Sequence, residues 1–312
     1  MLRAPAGRRA VKPRPTVRSV RGRFGIKATR AERIEPGGSR RPEPDTRIVH
    51  EDVLVIDVER IGSYSLMWTP TADPARAAGY SAADGILTDD GVPEALALAA
   101  GFVFTEGIVG ALSDIDTIAV CADRPDVVRI RLTDAERSVV RRRNVVINSS
   151  CGICGGREQL DLDVAGLERV PDSLRMTVAD LAAVQDDMRA RQDVFAATGG
   201  AHAAAVFDAE RGTIAIAEDL GRHNALDKVI GHRLLAGLGF ARCGVFLSSR
   251  ISYEMAMKSA RAGFELVAAV SAPSSLAIET ADRAGITLCG FVRNGGAVIY
   301  THPHRIVASA RG

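Results

Sequence analysis

Apolar residues recur along this chain in two rhythms, and the change from one to the other predicts its elements. Residues 53–58 read as a short buried strand, and 63–68 as its partner, returning across a turn at Gly62. Residues 117–121 and 127–132, separated by Asp123-Arg124-Pro125, read as a hairpin, and 144–147 as one more strand. Together they predict a small β-rich module over 45–148. From residue 177 the period lengthens. Thr177 and Asp180 form a capping pair, and Val178, Leu181, Val184 and Met188 follow at helical spacing until Gly199-Gly200 stops the helix. Strands are then expected at 203–207, 213–217, 244–247, 266–270, 287–291 and 297–300, with helices at 224–235, 253–262 and 276–284. Strands alternating with helices predict right-handed crossovers and a largely parallel sheet covered on both faces, an α/β domain of three layers over 177–308.

Within the β-rich module lies an imperfect repeat. Ala77-Ala78-Gly79-Tyr80 with Asp84-Gly85-Ile86 recurs as Ala99-Ala100-Gly101-Phe102 with Glu106-Gly107-Ile108. Two copies fall short of the roughly three that a solenoid needs, so one copy reads as a partly duplicated helical insertion.

Composition adds an arm to this plan. Residues 1–41 hold 13 Lys and Arg against Glu32 and Glu35, a local charge of +11 that leaves the rest of the chain at −9. A basic, Pro- and Gly-punctuated stretch without apolar periodicity predicts a disordered arm over 1–44. It lacks the apolar core of a secretory signal, and no stretch approaches the roughly 18 apolar residues of a membrane span. Five cysteines in 312 residues do not make a disulfide scaffold. A soluble protein of a reducing, cytoplasmic compartment is expected, with neither membrane nor nucleic acid among its partners.

The sharpest chemical signal is Ser149-Ser150-Cys151-Gly152-Ile153-Cys154-Gly155-Gly156, placed by the pattern in an exposed cysteine loop and linker over 149–176. Glycines beside both sulfurs clear space for large partners, and loop N–H groups stabilise a thiolate. Three readings stand open on spacing: a sulfur-relay pair, a redox pair of the thioredoxin kind, and half of a structural zinc site. A zinc site needs further ligands, and His302 and His304 are only two apart. Cys121, Cys243 and Cys289 lie in or beside apolar strands and read as core residues.

A second constellation is Glu218-Asp219-Leu220-Gly221-Arg222-His223-Asn224-Ala225-Leu226-Asp227-Lys228, a strand-to-helix turn dense in charge. It fits either an anion-binding helix start, using Arg222, His223, Asn224, Asp227 and Lys228, or a salt-bridge network that fixes the turn. Ser248-Ser249-Arg250 repeats the theme after the next strand, with Ser249 and Arg250 suited to a phosphate. Glu254 and Lys258 read as a solvated helix pair. Phe291-Val292-Arg293-Asn294-Gly295-Gly296 reads as a strand end running into a glycine turn.

Taken together, Arg143-Asn144 through Ser149-Ser150-Cys151-Gly152-Ile153-Cys154-Gly155, Gly199-Gly200-Ala201-His202-Ala203-Ala204, the 218–228 motif, Ser271-Ala272-Pro273-Ser274 and Gly290-Phe291-Val292-Arg293 resemble the FdhD/NarQ formate dehydrogenase accessory sulfurtransferases over about residues 45–308. The resemblance implies a cytidine deaminase-like fold and a homodimer. It implies that a cysteine desulfurase loads sulfur on Cys151 as a persulfide, with Cys154 assisting or resolving. The acceptor it implies is the molybdenum of a bis-molybdopterin guanine dinucleotide cofactor, held by Phe291, Val292, Arg293, Asn294, Gly295 and Gly296 and destined for formate dehydrogenase. No permanently bound metal is implied. The sequence speaks against deamination, because His202 is followed by Ala203 and Ala204 where a zinc deaminase needs H-x-E, and Cys151-x-x-Cys154 precedes the histidine. The basic arm, the repeat and Val145-Val146 depart from the family pattern.

Overall fold

The structure, a computed structural model, describes residues 18–19, 24–72, 79–86, 92–134 and 166–308. Three sheets organise it. The chain opens with β1 (Arg18–Ser19), β2 (Ile26–Ile34) and β3 (Arg40–Val49), an antiparallel ribbon in that order. Here the structure corrects the expectation of a disordered arm: residues 26–49 form a hairpin, and the boundary drawn at 44/45 falls inside β3. High charge density is tolerated because opposite charges meet across the ribbon, Arg33 with Glu43 and Arg40 with Glu32. The ribbon's base is apolar, with Ile26 buried against Val194 and Ala201. Residues 1–17 and 20–23 lie outside the described residues.

The second sheet runs β5-β4-β9-β8-β6-β7, from β4 (Asp52–Val58), β5 (Gly62–Trp68), β6 (Gly79–Ser81), β7 (Gly85–Ile86), β8 (Ile115–Cys121) and β9 (Arg124–Leu132). Alternation turns Leu54, Ile56 and Val58 on β4, and Tyr64, Leu66 and Trp68 on β5, onto one face. That face packs on α1 (Glu94–Thr105), buried from Ala95 through Phe102. A helix apolar all round needs cover on both sides. The small sheet supplies one, and a helix of the larger domain the other.

The repeat is not structural. The described part of its first copy is the β6–β7 hairpin, whereas the second copy lies in and just after α1, at the centre of the molecule. The copy expected as a helical insertion is a hairpin over its described residues, and Gly101 of the second copy serves a helix crossing.

The third sheet runs β11-β10-β12-β13-β14-β15, from β10 (His202–Asp208), β11 (Gly212–Asp219), β12 (Cys243–Leu247), β13 (Leu266–Ala269), β14 (Thr287–Arg293) and β15 (Gly296–Thr301). Helix α2 (Val178–Ala190) covers one face. It breaks at Arg191-Gln192 and resumes as α3 (Asp193–Thr198), closed by Gly199 at φ 67°. Helices α4 (Arg222–Leu235), α5 (Tyr253–Ala262) and α6 (Ser275–Ala284) cover the other face, and α4 is the helix that crosses α1. Successive residues of β10 divide between the layers: Ala203, Ala205 and Phe207 pack toward Leu181, Val184 and Met188, and Ala204 and Val206 toward α4 and α5. Three layers are as expected; the strand directions are not. Of the five pairings only β12–β13 and β13–β14 are parallel. The turns joining β10 to β11 and β14 to β15 are too short for a crossover, which takes a dozen or more residues.

Thr177 and Asp180 cap α2 reciprocally, as predicted. The linker ahead of α2 is anchored. Fully buried Glu265 accepts hydrogen bonds from the N–H groups of Ser173, Leu174 and Arg242, and buried Arg305 donates to the carbonyls of Pro171 and Gly285. Leu174 and Met176 are buried, so the described part of the segment expected to be exposed is clamped to the edge where β13 and β14 begin.

Candidate functional site

The opposite edge of this sheet gathers the motifs. β12, β13 and β14 end there, β10 begins there and β11 ends there, which puts His202 directly across from Asp219. Open α/β sheets present ligand-binding loops at such strand ends. Ser248 fastens β12 to β10, its N–H donating to Ala203 O at 3.0 Å and its Oγ accepting from Ala203 N at 2.8 Å. Ser249 is buried and its hydroxyl donates to Arg250 O, whereas Arg250 itself is exposed. Ser271 O, at the end of β13, accepts from Phe291 N at 3.2 Å.

The 218–228 motif divides into two sets. Glu218 accepts from the first N–H groups of α3, Val194 and Phe195, at 2.9 Å each. Asp219, fully buried, accepts from Gly221 N, Asn224 Nδ2 and Thr69 N, and lies 3.0 Å from Lys228 Nζ. Asn224 also donates to Met67 O. Lys228 is fully buried, donating to Thr69 O and Glu218 O. Asp227 is buried against Lys258 and Thr105. Asn224, Asp227 and Lys228 were candidate cofactor contacts; their polar groups face partners within the protein, so the network reading holds for them. Burial also explains Lys258, which pairs with Asp227 and Glu106 rather than with Glu254 on a solvated face.

Arg222 and His223 remain turned toward the edge. Burial, with the neighbouring Arg222 and His223, holds the His202 imidazole below its ordinary range. His223 Nε2 stands 2.7 Å from Glu254 Oε2 on α5, and this contact lowers the Glu254 carboxyl against its burial. The Arg222 Nε is buried and has no protein hydrogen-bond partner. Arg222 opens α4, where unpaired N–H groups and the helix dipole favour an anion.

Phe291 to Gly296 form the tip of the β14–β15 hairpin. Arg293 pairs with Gly296 across a two-residue turn in which Asn294 and Gly295 both have positive φ, 53° and 72°. This is the Asn-Gly turn that matches strand twist. Phe291 also lies in the left-handed region, at φ 50°, inside a bulge. A non-glycine residue is strained there. Gly290 before it is tightly enclosed: a Cβ would lie 3.0 to 3.1 Å from Pro273, Ser271 and Tyr300, which would have to give way by a few tenths of an ångström. Arg293 lies over the Phe291 ring at 5.4 Å, leaving a cation–aromatic pair on the surface. Val292 is 1% exposed and belongs to the core, so it cannot contact a ligand.

Cys151 and Cys154 lie outside the described residues. Cys243 and Cys289 are buried as expected, and Cys121 is half-buried. Burial pushes the Cys289 thiol up to about 12. Iodoacetamide at pH 8 is therefore expected to spare Cys289 in the native protein and to label Cys121; peptide mapping that finds Cys289 labelled would contradict this. Among the described residues no group of three or more His, Cys, Asp or Glu could hold a metal ion, and no helix is long and apolar enough to cross a membrane. Sequence reasoning missed Thr69, whose signal is too slight to notice: one hydroxyl before a proline at a strand's end.

Fold and edge together define a class, a three-layer α/β protein that collects guanidinium groups and a helix start where its strands end. The FdhD/NarQ family profile matches residues 92–307, and the chain belongs to that family. It is 39% identical over 234 residues to the sulfur carrier protein FdhD of Streptomyces avermitilis, covering 69% of this chain and 80% of the relative. With the sulfur carrier protein FdhD of Sulfolobus acidocaldarius it shares 40% identity over 212 residues, covering 68% and 80%. A solved structure described as a candidate formate dehydrogenase accessory protein from Desulfotalea psychrophila superposes with a TM-score of 0.67 at 22% identity, over 90% of this chain and 98% of that one. That likeness establishes a shared fold.

Proposed function

We propose that this protein is a cytoplasmic, homodimeric sulfur carrier that serves formate dehydrogenase, with Cys151 as the sulfur-bearing residue. Support comes above all from family membership: relatives about 40% identical are sulfur carrier proteins, and Cys151-Gly-Ile-Cys154 falls inside the matched span. In the loading step the Cys151 thiolate attacks the terminal sulfur of a cysteine desulfurase's persulfide. The donor's S–S bond breaks, the donor leaves as a thiolate, and Cys151 carries the persulfide. Cys154 assists release or closes a protective disulfide.

The acceptor is the molybdenum of a bis-molybdopterin guanine dinucleotide, before its insertion into the dehydrogenase. The strand edge fits such a substrate. Arg222, Arg250 and Arg293 offer guanidinium groups for its diphosphates, with His223 and Ser249 beside them, and Phe291 with Arg293 offers a surface for a purine ring. Asn294, Gly295 and Gly296 present an uncrowded backbone at the hairpin tip.

Intact-mass measurement after incubation with a cysteine desulfurase and cysteine tests the loading step. A one-sulfur increment is expected in wild type and in Cys154→Ala, and none in Cys151→Ala. A wild type that gains no sulfur would sink the carrier reading, and stoichiometric zinc in protein purified without added metal would favour a structural metal role for the pair instead.

A further inference from the structure

The turn that carries Arg222 and His223 is held from outside its own domain. β5 ends at Trp68, and the next residue, Thr69, is fully buried with every polar group committed to the 218–228 motif. Its N–H donates to Asp219 Oδ2 at 2.9 Å, its Oγ1 accepts from Leu220 N at 3.1 Å, and its carbonyl accepts from Lys228 Nζ at 2.7 Å. One turn further on, Asn224 donates to Met67 O at 2.7 Å. Thr69 precedes the span matched by the family profile, and its hydroxyl supplies the acceptor for a backbone N–H that no helix bond satisfies.

We propose that Thr69 is a positioning residue for the strand-edge site: the exit of β5 sets the Leu220-Gly221 turn and through it the placement of Arg222 and His223. The inference rests on the reading that this edge holds the anionic acceptor. Arg222 and His223 follow Leu220 and Gly221 directly, so a shift in the turn carries both of them. The reporter is His202, which feels Arg222, Asp219 and His223, with Glu254 behind His223.

Thr69→Val keeps the shape of the side chain and removes the acceptor, while Thr69→Ser keeps the acceptor. The measurement is the NMR titration of the His202 ring in the full-length protein, alongside the thermal midpoint. In Thr69→Val the titration midpoint of His202 is expected to rise, because water enters and Arg222 moves off. Thr69→Ser should restore it. If Thr69→Val does not fold, Asn224→Ala severs the same turn from Met67 O and should shift His202 in the same direction. A lower thermal midpoint with an unmoved His202 titration would overturn the proposal, leaving Thr69 with a stabilising role alone. The desulfurase assay stays separate: a wild type that loads no sulfur defeats the carrier reading, whatever His202 does.

Discussion

Gly101→Ala is expected to destabilise the protein by about 3 kcal/mol or more, reversing the usual sign of a helical Gly→Ala change, which favours the helix by about 1 kcal/mol. The reason is the crossing of α1 and α4. A Cβ on Gly101 would lie 1.8 Å from Asp227 O, and one on Gly231 would lie 1.8 Å from Ala97 O. Each helix meets the other's backbone, which no side-chain rotation can relieve. The helices would have to separate, and the layers on either side of them with it. Urea denaturation checks this, with Gly239→Ala as control, because Gly239 has open space around its Cβ position. A Gly101→Ala protein as stable as the control would show that the crossing is looser than described.

Lys258→Met is expected to have an effect of similar size, about 3 to 5 kcal/mol, by leaving buried charge uncompensated. Lys258 Nζ lies 2.7 Å from Asp227 Oδ2 and 3.1 Å from Glu106 Oε1, and it donates to Thr105 Oγ1 at 2.8 Å. Thr105 Oγ1 in turn donates to Asp227 Oδ1 at 2.7 Å. Asp227 is 2% exposed, and its carboxyl is pushed up by burial although Lys258 pulls it down. Removing the cation leaves a carboxylate with no solvent to turn to. Because the penalty comes from the widowed charge, the double variant Lys258→Met, Asp227→Leu should recover most of the lost stability in denaturant melts. A single variant within about 1 kcal/mol of wild type would refute the account.

Much of the larger domain was legible because its strands and helices each bury one face, and that burial writes itself as periodicity. The helix over 253–262 and the capping of α2 at Thr177 follow from such local signals. Strand direction does not, since parallel and antiparallel neighbours bury the same residues; the turn lengths around β11 and β15 held the missing information. The hairpin over 26–49 was hidden by its charges, which pair across the ribbon instead of repelling. At the site, Asp227 and Lys228 look like phosphate ligands in sequence because their partners, Lys258 and Thr69, are far away along the chain. Arg222 and His223 were legible as edge residues, but which members of the motif are internal could be decided only from burial.

The clamp formed by Glu265 and Arg305 has a consequence for reach. It fixes the linker at the edge where β13 begins, across a four-residue strand from the motif edge, a distance of about 13 Å at roughly 3.3 Å per residue. Cys151 stands near the middle of the stretch between Asp134 and Gly166. A fully extended chain covers at most about 3.5 Å per residue, so the tethers on its two sides allow spans of about 50 to 60 Å. A compact protein of this length has a radius of gyration of about 20 Å. Chain length therefore bars Cys151 neither from a donor outside the molecule nor from the edge that carries Arg222.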